Sequence, residues 1–254
     1  MFVPLLEAPG RPDETSLVIA VRGNRVELSD REPDEPGIFL GVLSGRHCWA
    51  VDADGDGEPD AEEFVDLRML WGSVDEPTWM VAGRAVQLVE WQRTHRFCGR
   101  CGVPTDEALG ERARRCPSCG LLAYPRLAPA VIMLVERDDG RALLARNAMF
   151  PPGIFSCLSG FVEPGETLEH AVCREVREEV GIEVGDVDFR GSQPWPFPHQ
   201  LMVGFGARYV SGEIVLDEQE IAEASWFTPE EAPVFPTNMS IAGRLIDEWR
   251  HRAT

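Results

Sequence analysis

The segment from Gly160 to Ile182, GFVEPGETLEHAVCREVREEVGI, constrains this chain more than any other. Its spacing is G-x5-E-x7-R-E-V-x-E-E-x-G-I. Gly160 and Gly165 shape a loop, and Pro164-Gly165 is a turn signal. Thr167 is placed to cap a helix that runs to about Val180. On that helix Glu175, Glu178 and Glu179 stand at i, i+3 and i+4 and project from one face. Leu168, Val172, Val176 and Val180 recur every fourth residue and form an adjacent stripe to bury. His170 falls on another face.

Three carboxylates on one face repel by tenths of a kcal/mol per exposed pair, and by more when desolvated. Arg174, four residues before Glu178, can bridge one of them. The remainder suits hard divalent cations, Mg²⁺ or Mn²⁺, held by carboxylate oxygens and water. A solvated acidic face is the alternative, natural in a chain with 43 acidic and 24 basic residues and a net charge of −19. Gly160, Glu166, Arg174 and Gly181, all in their places, favour the metal site.

The charge balance excludes other chemistries. Strong non-specific nucleic-acid binding needs a cationic surface, as does an anionic membrane. Every basic residue is Arg, so a lysine nucleophile, a Schiff base and a Walker-type phosphate loop are ruled out. No run approaches the roughly 18 apolar residues needed to span a bilayer. The opening MFVPLLEAPGRPDE lacks a basic stretch followed by a long apolar run. The expected compartment is the cytoplasm, with no membrane partner.

Seven cysteines, an odd count, do not read as a secreted disulfide framework. Four fall in two C-x-x-C pairs, Cys98/Cys101 and Cys116/Cys119, with 14 residues between the pairs. Two such knuckles supply the four thiolates of a tetrahedral Zn²⁺ site, and Gly102 and Gly120 follow where the turns need an unhindered backbone. No position is left open, so the expected zinc, one per chain, is structural. Zinc ribbons often touch nucleic acid; Arg112, Arg114 and Arg115 are the only dense basic cluster here.

Around these motifs the chain reads as three regions. In residues 1–93, LVIAVRGNRVEL gives two strands about a Gly-Asn turn, and GIFLGVL and HCWAVD give further strands. AEEFVDLRMLWG (residues 61–72) and AGRAVQLVEWQRTH (residues 82–95) read as helices. Residues 94–124 are the cysteine-rich insert. In residues 125–254, APAVIMLVER turns at Asp139-Gly140 into RALLARN. The box helix, strands FRGSQ and HQLMVGFGARYV, and a closing helix through SIAGRLIDEWRHR follow. Within this region SQPWPFPHQLM carries prolines about Trp195 and Phe197. It reads as a stiff loop or edge able to form a stacking wall for a planar ring, or as a kinked core loop.

The 23-residue segment resembles the Nudix box at every defined position. That resemblance implies hydrolysis of a nucleoside diphosphate linked to another moiety, on a mixed sheet sandwiched by helices. Together, four-Cys ribbon, box and SQPWPFP loop resemble the NADH pyrophosphatase subfamily, which includes NAD-capped RNA hydrolases. The implied fold class is α+β: an N-terminal mixed α/β domain that is a Nudix-like scaffold, a small zinc ribbon and a C-terminal Nudix α/β/α sandwich. The implied activity is cleavage of NADH or NAD⁺ to nicotinamide mononucleotide and AMP, or removal of the NAD cap from RNA 5′ ends by the same bond cleavage. A zinc-ribbon binding module without catalysis is the third reading. A homodimer is also implied.

By the same resemblance, Glu175 and Glu179 are metal ligands, joined by the Ser159 carbonyl and by Glu220, for two or three Mg²⁺ or Mn²⁺ ions. Glu178 or Glu179 is the base, and Glu166 supports Arg174. Tyr124 and Phe161 would flank the nicotinamide or base. Gln193, Pro194, Trp195, Pro196, Phe197, Pro198, His199 and Gln200 would line the substrate, and Ala242 would close the pocket. Glu111, Arg68 and Arg25 are weaker carry-overs. Gln200 departs from the small hydroxylated residue usual in the family.

Residues Asp52–Glu63 also satisfy the EF-hand loop pattern. Pro59 stands at position eight, where an apolar β-forming residue normally pairs, and a strand precedes the loop. The expectation is a solvated acidic turn rather than a calcium site.

Overall fold

The computed structural model describes residues 1–30, 37–54, 64–233 and 239–253. The chain forms two compact units, Met1–Leu127 with Trp195–His199, and Ala128–Pro194 with Gln200–Thr254.

In the first unit β1 (Phe2–Pro4), β2 (Leu17–Arg22), β3 (Arg25–Ser29), β4 (Ile38–Leu43), β5 (Arg46–Asp52) and β6 (Val65–Asp66) form one sheet of order β1-β4-β5-β2-β3-β6. β2 and β3 pair antiparallel across Gly23-Asn24, and Gly23 takes the left-handed φ of 55° that the tight turn needs. β2 and β5 run parallel. Leu17, Ile19 and Val21 of β2 alternate inward onto Trp79, Ala82, Val86 and Val89. The latter belong to α2 (Glu76–Thr94), whose first turn is capped by Asp75 accepting from the Thr78 N–H at 2.9 Å.

The helix expected over residues 61–72 is corrected. Val65–Asp66 is claimed by the sheet edge, pairing with Arg25–Val26. Among the described residues of that stretch only α1 (Leu67–Leu70) is helical, a single turn capped by Asp66, and Gly72 follows with φ 80°. Residues 55–63, most of the EF-hand-like stretch, lie outside the described residues. Its first two acidic positions are committed: Arg93 holds the carboxylates of both Asp52 and Asp54.

The cysteine-rich insert is a three-stranded sheet of β7 (Asp106–Glu107), β8 (Arg114–Arg115) and β9 (Leu122–Ala123). Two of its basic residues serve the fold. Arg112 donates to the carbonyls of Leu5 and Phe39 at 2.8 and 2.9 Å, and Arg114 donates to Thr105 Oγ1 at 3.0 Å.

The second unit holds β10 (Ala128–Glu136), β11 (Ala142–Asn147), β12 (Leu158–Phe161), α3 (Leu168–Val180), β13 (Glu183–Trp195), β14 (Gln200–Ser211), β15 (Ile221–Phe227) and α4 (Ile241–Ala253). The sheet order is β13-β14-β10-β11-β15, with β12 also on β10. Period-two alternation along β10 makes this a sandwich. Val131, Met133 and Val135 pack with Ala171, Val172, Val176 and Val180 of α3. Ile132 and Leu134 pack with Ile241, Leu245, Ile246 and Trp249 of α4. Gly204 lets α4 approach closely, since a Cβ there would lie 2.6 Å from Ile241 Cδ1.

The two sheets share one wiring. β4-β5-β2-β3-β6 repeats β13-β14-β10-β11-β15, each with a parallel pair at its centre. Between β11 and β13 the second unit inserts residues 148–182, with β12 and the box helix; between β3 and β4 the first has only residues 30–37. The first unit's connection is thus 8 residues long (30–37) against 35 (148–182), shorter than the 13 residues of α3.

Candidate active site

Local rules fix the ends of α3. Thr167 Oγ1 accepts from the His170 N–H at 3.2 Å, and Gly181 closes the helix with φ 74°, its N–H on the Arg177 carbonyl at 2.9 Å. Burial of the valine stripe sets its rotation. Glu175 and Glu179 are thereby carried inward to 8% and 4% exposure. Glu178 stays at the rim with its side chain 59% exposed. The three-carboxylate face is thus two buried groups and one exposed.

Arg174 is the local cation. It donates to both oxygens of Glu166 at 2.8 Å, to Glu175 Oε1 at 2.8 Å, to Glu178 Oε2 at 2.9 Å and to the Phe161 carbonyl at 2.8 Å. This fork holds Glu166 down at about 2 and ties the loop after β12 to the helix. Glu175 is raised, chiefly by burial, against the pull of Arg174. Glu179 is pushed up to about 8 by burial and then by the charges of Glu175 and Glu220. Its Oε2 is buried without a partner.

Glu220 arrives from the turn before β15. Its carbonyl accepts from the Ala148 N–H at 2.7 Å, and its charge is felt at both Glu175 and Glu179. Ser159 on β12 donates a backbone hydrogen bond to Glu179. Gly160 floors Glu175: an added Cβ would sit 1.9 Å from the carboxyl carbon. A cleft of about 690 Å³ is lined by Ser159, Gly160, Phe161, Arg174, Glu175, Glu178, Gln200 and Glu220. An orphaned buried carboxylate oxygen with acidic neighbours fits a hard divalent cation.

The four thiols form a tighter cluster. Cys98–Cys119, Cys101–Cys116 and Cys101–Cys119 sulfurs are 3.6, 3.5 and 3.8 Å apart. A tetrahedron with Zn–S of about 2.3 Å has edges of roughly 3.8 Å. The knuckles match each other: Gly102 and Gly120, both at φ 74°, donate to the carbonyls of Cys98 and Cys116 at 2.9 and 3.0 Å. Backbone N–H groups of Arg100 and Cys101 bring Cys98 down to about 6, ready to bind as thiolate. Among the described residues these thiols alone place all their ligand atoms within 4.8 Å of one another. The carboxylates, repelling each other, stand further apart.

The other expected site residues are each held within their own unit. In the first unit, the Tyr124 hydroxyl donates to Glu111, and Arg25 donates to the Phe64 carbonyl. Arg68 stacks over Phe197, 3.7 Å from the ring centroid, and Trp195 meets Phe197 edge-on at 5.1 Å. Phe197 is buried in that unit's core, and Pro196 covers Gly83. Pro198 and His199 line a separate cavity of about 350 Å³ with Gln87, Trp91, His95 and Arg126. Pro194 is exposed at the penultimate position of edge strand β13.

In the second unit Gln193 spends its amide on structure. Its Oε1 accepts from the Ile241 N–H and its Nε2 donates to the Met239 carbonyl, both at 2.7 Å. Ala242, in the first turn of α4, is 3% exposed and packs in the core. Sequence reasoning missed Asp217, Gln219, Asn147 and Glu163, all lining the cleft. The acidic run LDEQE was the one available signal for the first two.

An acidic loop–helix–loop on a mixed sheet, in a chain that carries a second sheet of the same wiring, is the layout of a Nudix hydrolase. Residues 126–249 match the NUDIX domain, 93–124 the NADH pyrophosphatase zinc ribbon domain, and 4–91 the NADH pyrophosphatase-like rudimentary NUDIX domain. The NAD-capped RNA hydrolase NudC of Deinococcus radiodurans is 45% identical over 97% of this chain and 91% of its own. That of Pseudomonas aeruginosa is 47% identical over 84% and 76%. A NUDIX hydrolase of Nitrosomonas europaea shares the fold, with a TM-score of 0.51 at 22% identity over 62% of this chain and 91% of that one. The chain belongs to the zinc-ribbon NADH pyrophosphatase branch of the Nudix hydrolases.

Proposed function

We propose that this enzyme hydrolyses the pyrophosphate bond of NADH or NAD⁺, giving AMP and nicotinamide mononucleotide, in its reduced form from NADH. The observation that carries the reading is Glu179, buried beside Glu175 and Glu220 with one carboxylate oxygen unpartnered. Glu175, Glu179 and Glu220, with the Ser159 carbonyl, would hold two or three Mg²⁺ or Mn²⁺ ions. When bound, such ions neutralise the phosphoanhydride and lower the pKa of a water.

The protein's own groups do the rest. Arg174 keeps Glu175 and the Phe161 loop in place. Glu178 at the rim, or Glu179, takes the proton lost by the attacking water. Phe161, 52% exposed at the cleft, offers a face to a planar ring. The thiol cluster holds one structural zinc.

The same cleavage removes the NAD cap from RNA 5′ ends, and the likeness to NAD-capped RNA hydrolases favours this second substrate. The chain works as a cytoplasmic homodimer in this reading. Among the described residues no helix is long and apolar enough to cross a membrane. Side-by-side assays of NADH, NAD⁺, ADP-ribose and NAD-capped RNA, each with Mg²⁺ and Mn²⁺, test the reading. Absence of metal-dependent nicotinamide mononucleotide from all three NAD substrates would overturn it.

A further inference from the structure

The last turn of a helix leaves carbonyls without intrahelical partners. At the end of α3 they are taken by the segment that leads to Glu220. The Val180 carbonyl accepts from the Val215 N–H and the Glu179 carbonyl from the Asp217 N–H, each at 3.0 Å. Asp217 then folds the chain back. Its carbonyl accepts from the Glu220 and Ile221 N–H groups at 3.1 and 2.8 Å. Its Oδ1 accepts from the Gln219 N–H at 2.9 Å, an Asx turn. One residue therefore bonds on one side to Glu179 and on the other to the turn that presents Glu220, and it lines the cleft itself.

We infer that Asp217 is a positioning residue that sets the separation of the Glu179 and Glu220 carboxylates for divalent-cation binding. This rests on the cation reading of the cleft. The Asp217 backbone bonds survive most substitutions; the Asx turn depends on a side-chain acceptor at this position. Loss of the acceptor frees residues 218–220 and lets Glu220 swing away from Glu179. Asn keeps the acceptor and drops the charge, so it preserves the turn.

The test is Mn²⁺ binding to the purified full chain, read as free Mn²⁺ by electron paramagnetic resonance, with activity in parallel. Asp217→Ala should weaken binding by about tenfold or more, the scale seen when an outer partner of a metal ligand is removed. Its kcat at saturating Mn²⁺ should fall much less than its affinity. Asp217→Asn should bind close to wild type. Equal loss in both variants overturns the inference by making the charge the active feature, and wild-type affinity in Asp217→Ala overturns it directly. If Asp217→Ala does not fold, Gln219→Pro deletes the donor of the Asx turn and should weaken binding likewise; unchanged affinity there overturns the inference. Wild-type protein that binds no Mn²⁺ would instead sink the reading of the cleft.

Discussion

Gly160 lies beneath Glu175 so closely that a methyl group on it would be 2.1 Å from both carboxylate oxygens. Gly160 has no left-handed φ, so glycine is required here for space and not for backbone freedom. The atoms in the way are the end of a flexible side chain, which can move. Gly160→Ala should therefore fold, with Tm close to wild type, while Glu175 is displaced. Mn²⁺ affinity should fall about tenfold or more, as for other disturbed ligand settings. Isothermal titration with Mn²⁺ beside a thermal melt separates the two effects.

Glu179→Gln should retain the fold and lose more than about 100-fold in rate, the scale of a removed base or ligand carboxylate. Glu178→Gln, at the rim, keeps metal binding in either case. If it loses rate to the same degree while still binding Mn²⁺, Glu178 is the base; if turnover persists, the role falls to Glu179.

Stability without divalent ions should carry the mark of Glu179. Its value in the fold, about 8, lies above the ordinary 4.5. The protonated form is favoured, so the contribution is whole below about 4.5 and lost as pH rises through about 8. The Tm difference between wild type and Glu179→Gln, in chelator, should move in favour of the Gln variant between pH 5 and 9 on this basis. A difference constant with pH would contradict it.

Arg174→Ala leaves Glu166 and Glu175 without their cation, at a site where Arg174 is 23% exposed and its partners 14% and 11%. Partial solvent screening limits the cost to about 1–3 kcal/mol in urea unfolding. Arg174→Lys restores charge but not the fork to Glu166, and should recover only part of the loss.

Cys116→Ser should release zinc and lower Tm before it touches chemistry. Activity measured well below the new Tm should remain. A variant of wild-type Tm that is inactive would show the zinc to be more than a staple.

Much of the cleft was legible because the box spacing is itself a piece of geometry. A valine every fourth residue fixes which way Glu175 and Glu179 turn, and Thr167 and Gly181 fix where the helix stops. Burial was harder to read, since i, i+3 and i+4 place Glu178 beside the other two but not outside them. Asp217 and Gln219 had only the acidic run LDEQE to point to them, because the backbone hydrogen bonds that bring Asp217 to the end of α3 leave no mark in the sequence. The segment AEEFVDLRMLWG looked helical on its own terms, but Val65–Asp66 found an edge to pair with on β3. Phe197 was offered as a stacking wall or a core ring; in the structure it is a core ring under Arg68. Gln193 shows the same lesson in a polar residue, its amide consumed at the start of α4.

The short link at residues 30–37 also bears on how the first half of the chain can vary. Where the second half inserts residues 148–182, this half has eight residues between β3 and β4. What endures is the demand that Leu17, Ile19, Val21 and Leu40 meet Trp79 and Val86 without gaps. Such a half should drift quickly on its outer face and slowly within. Distant relatives would then keep its wiring long after its letters have ceased to align.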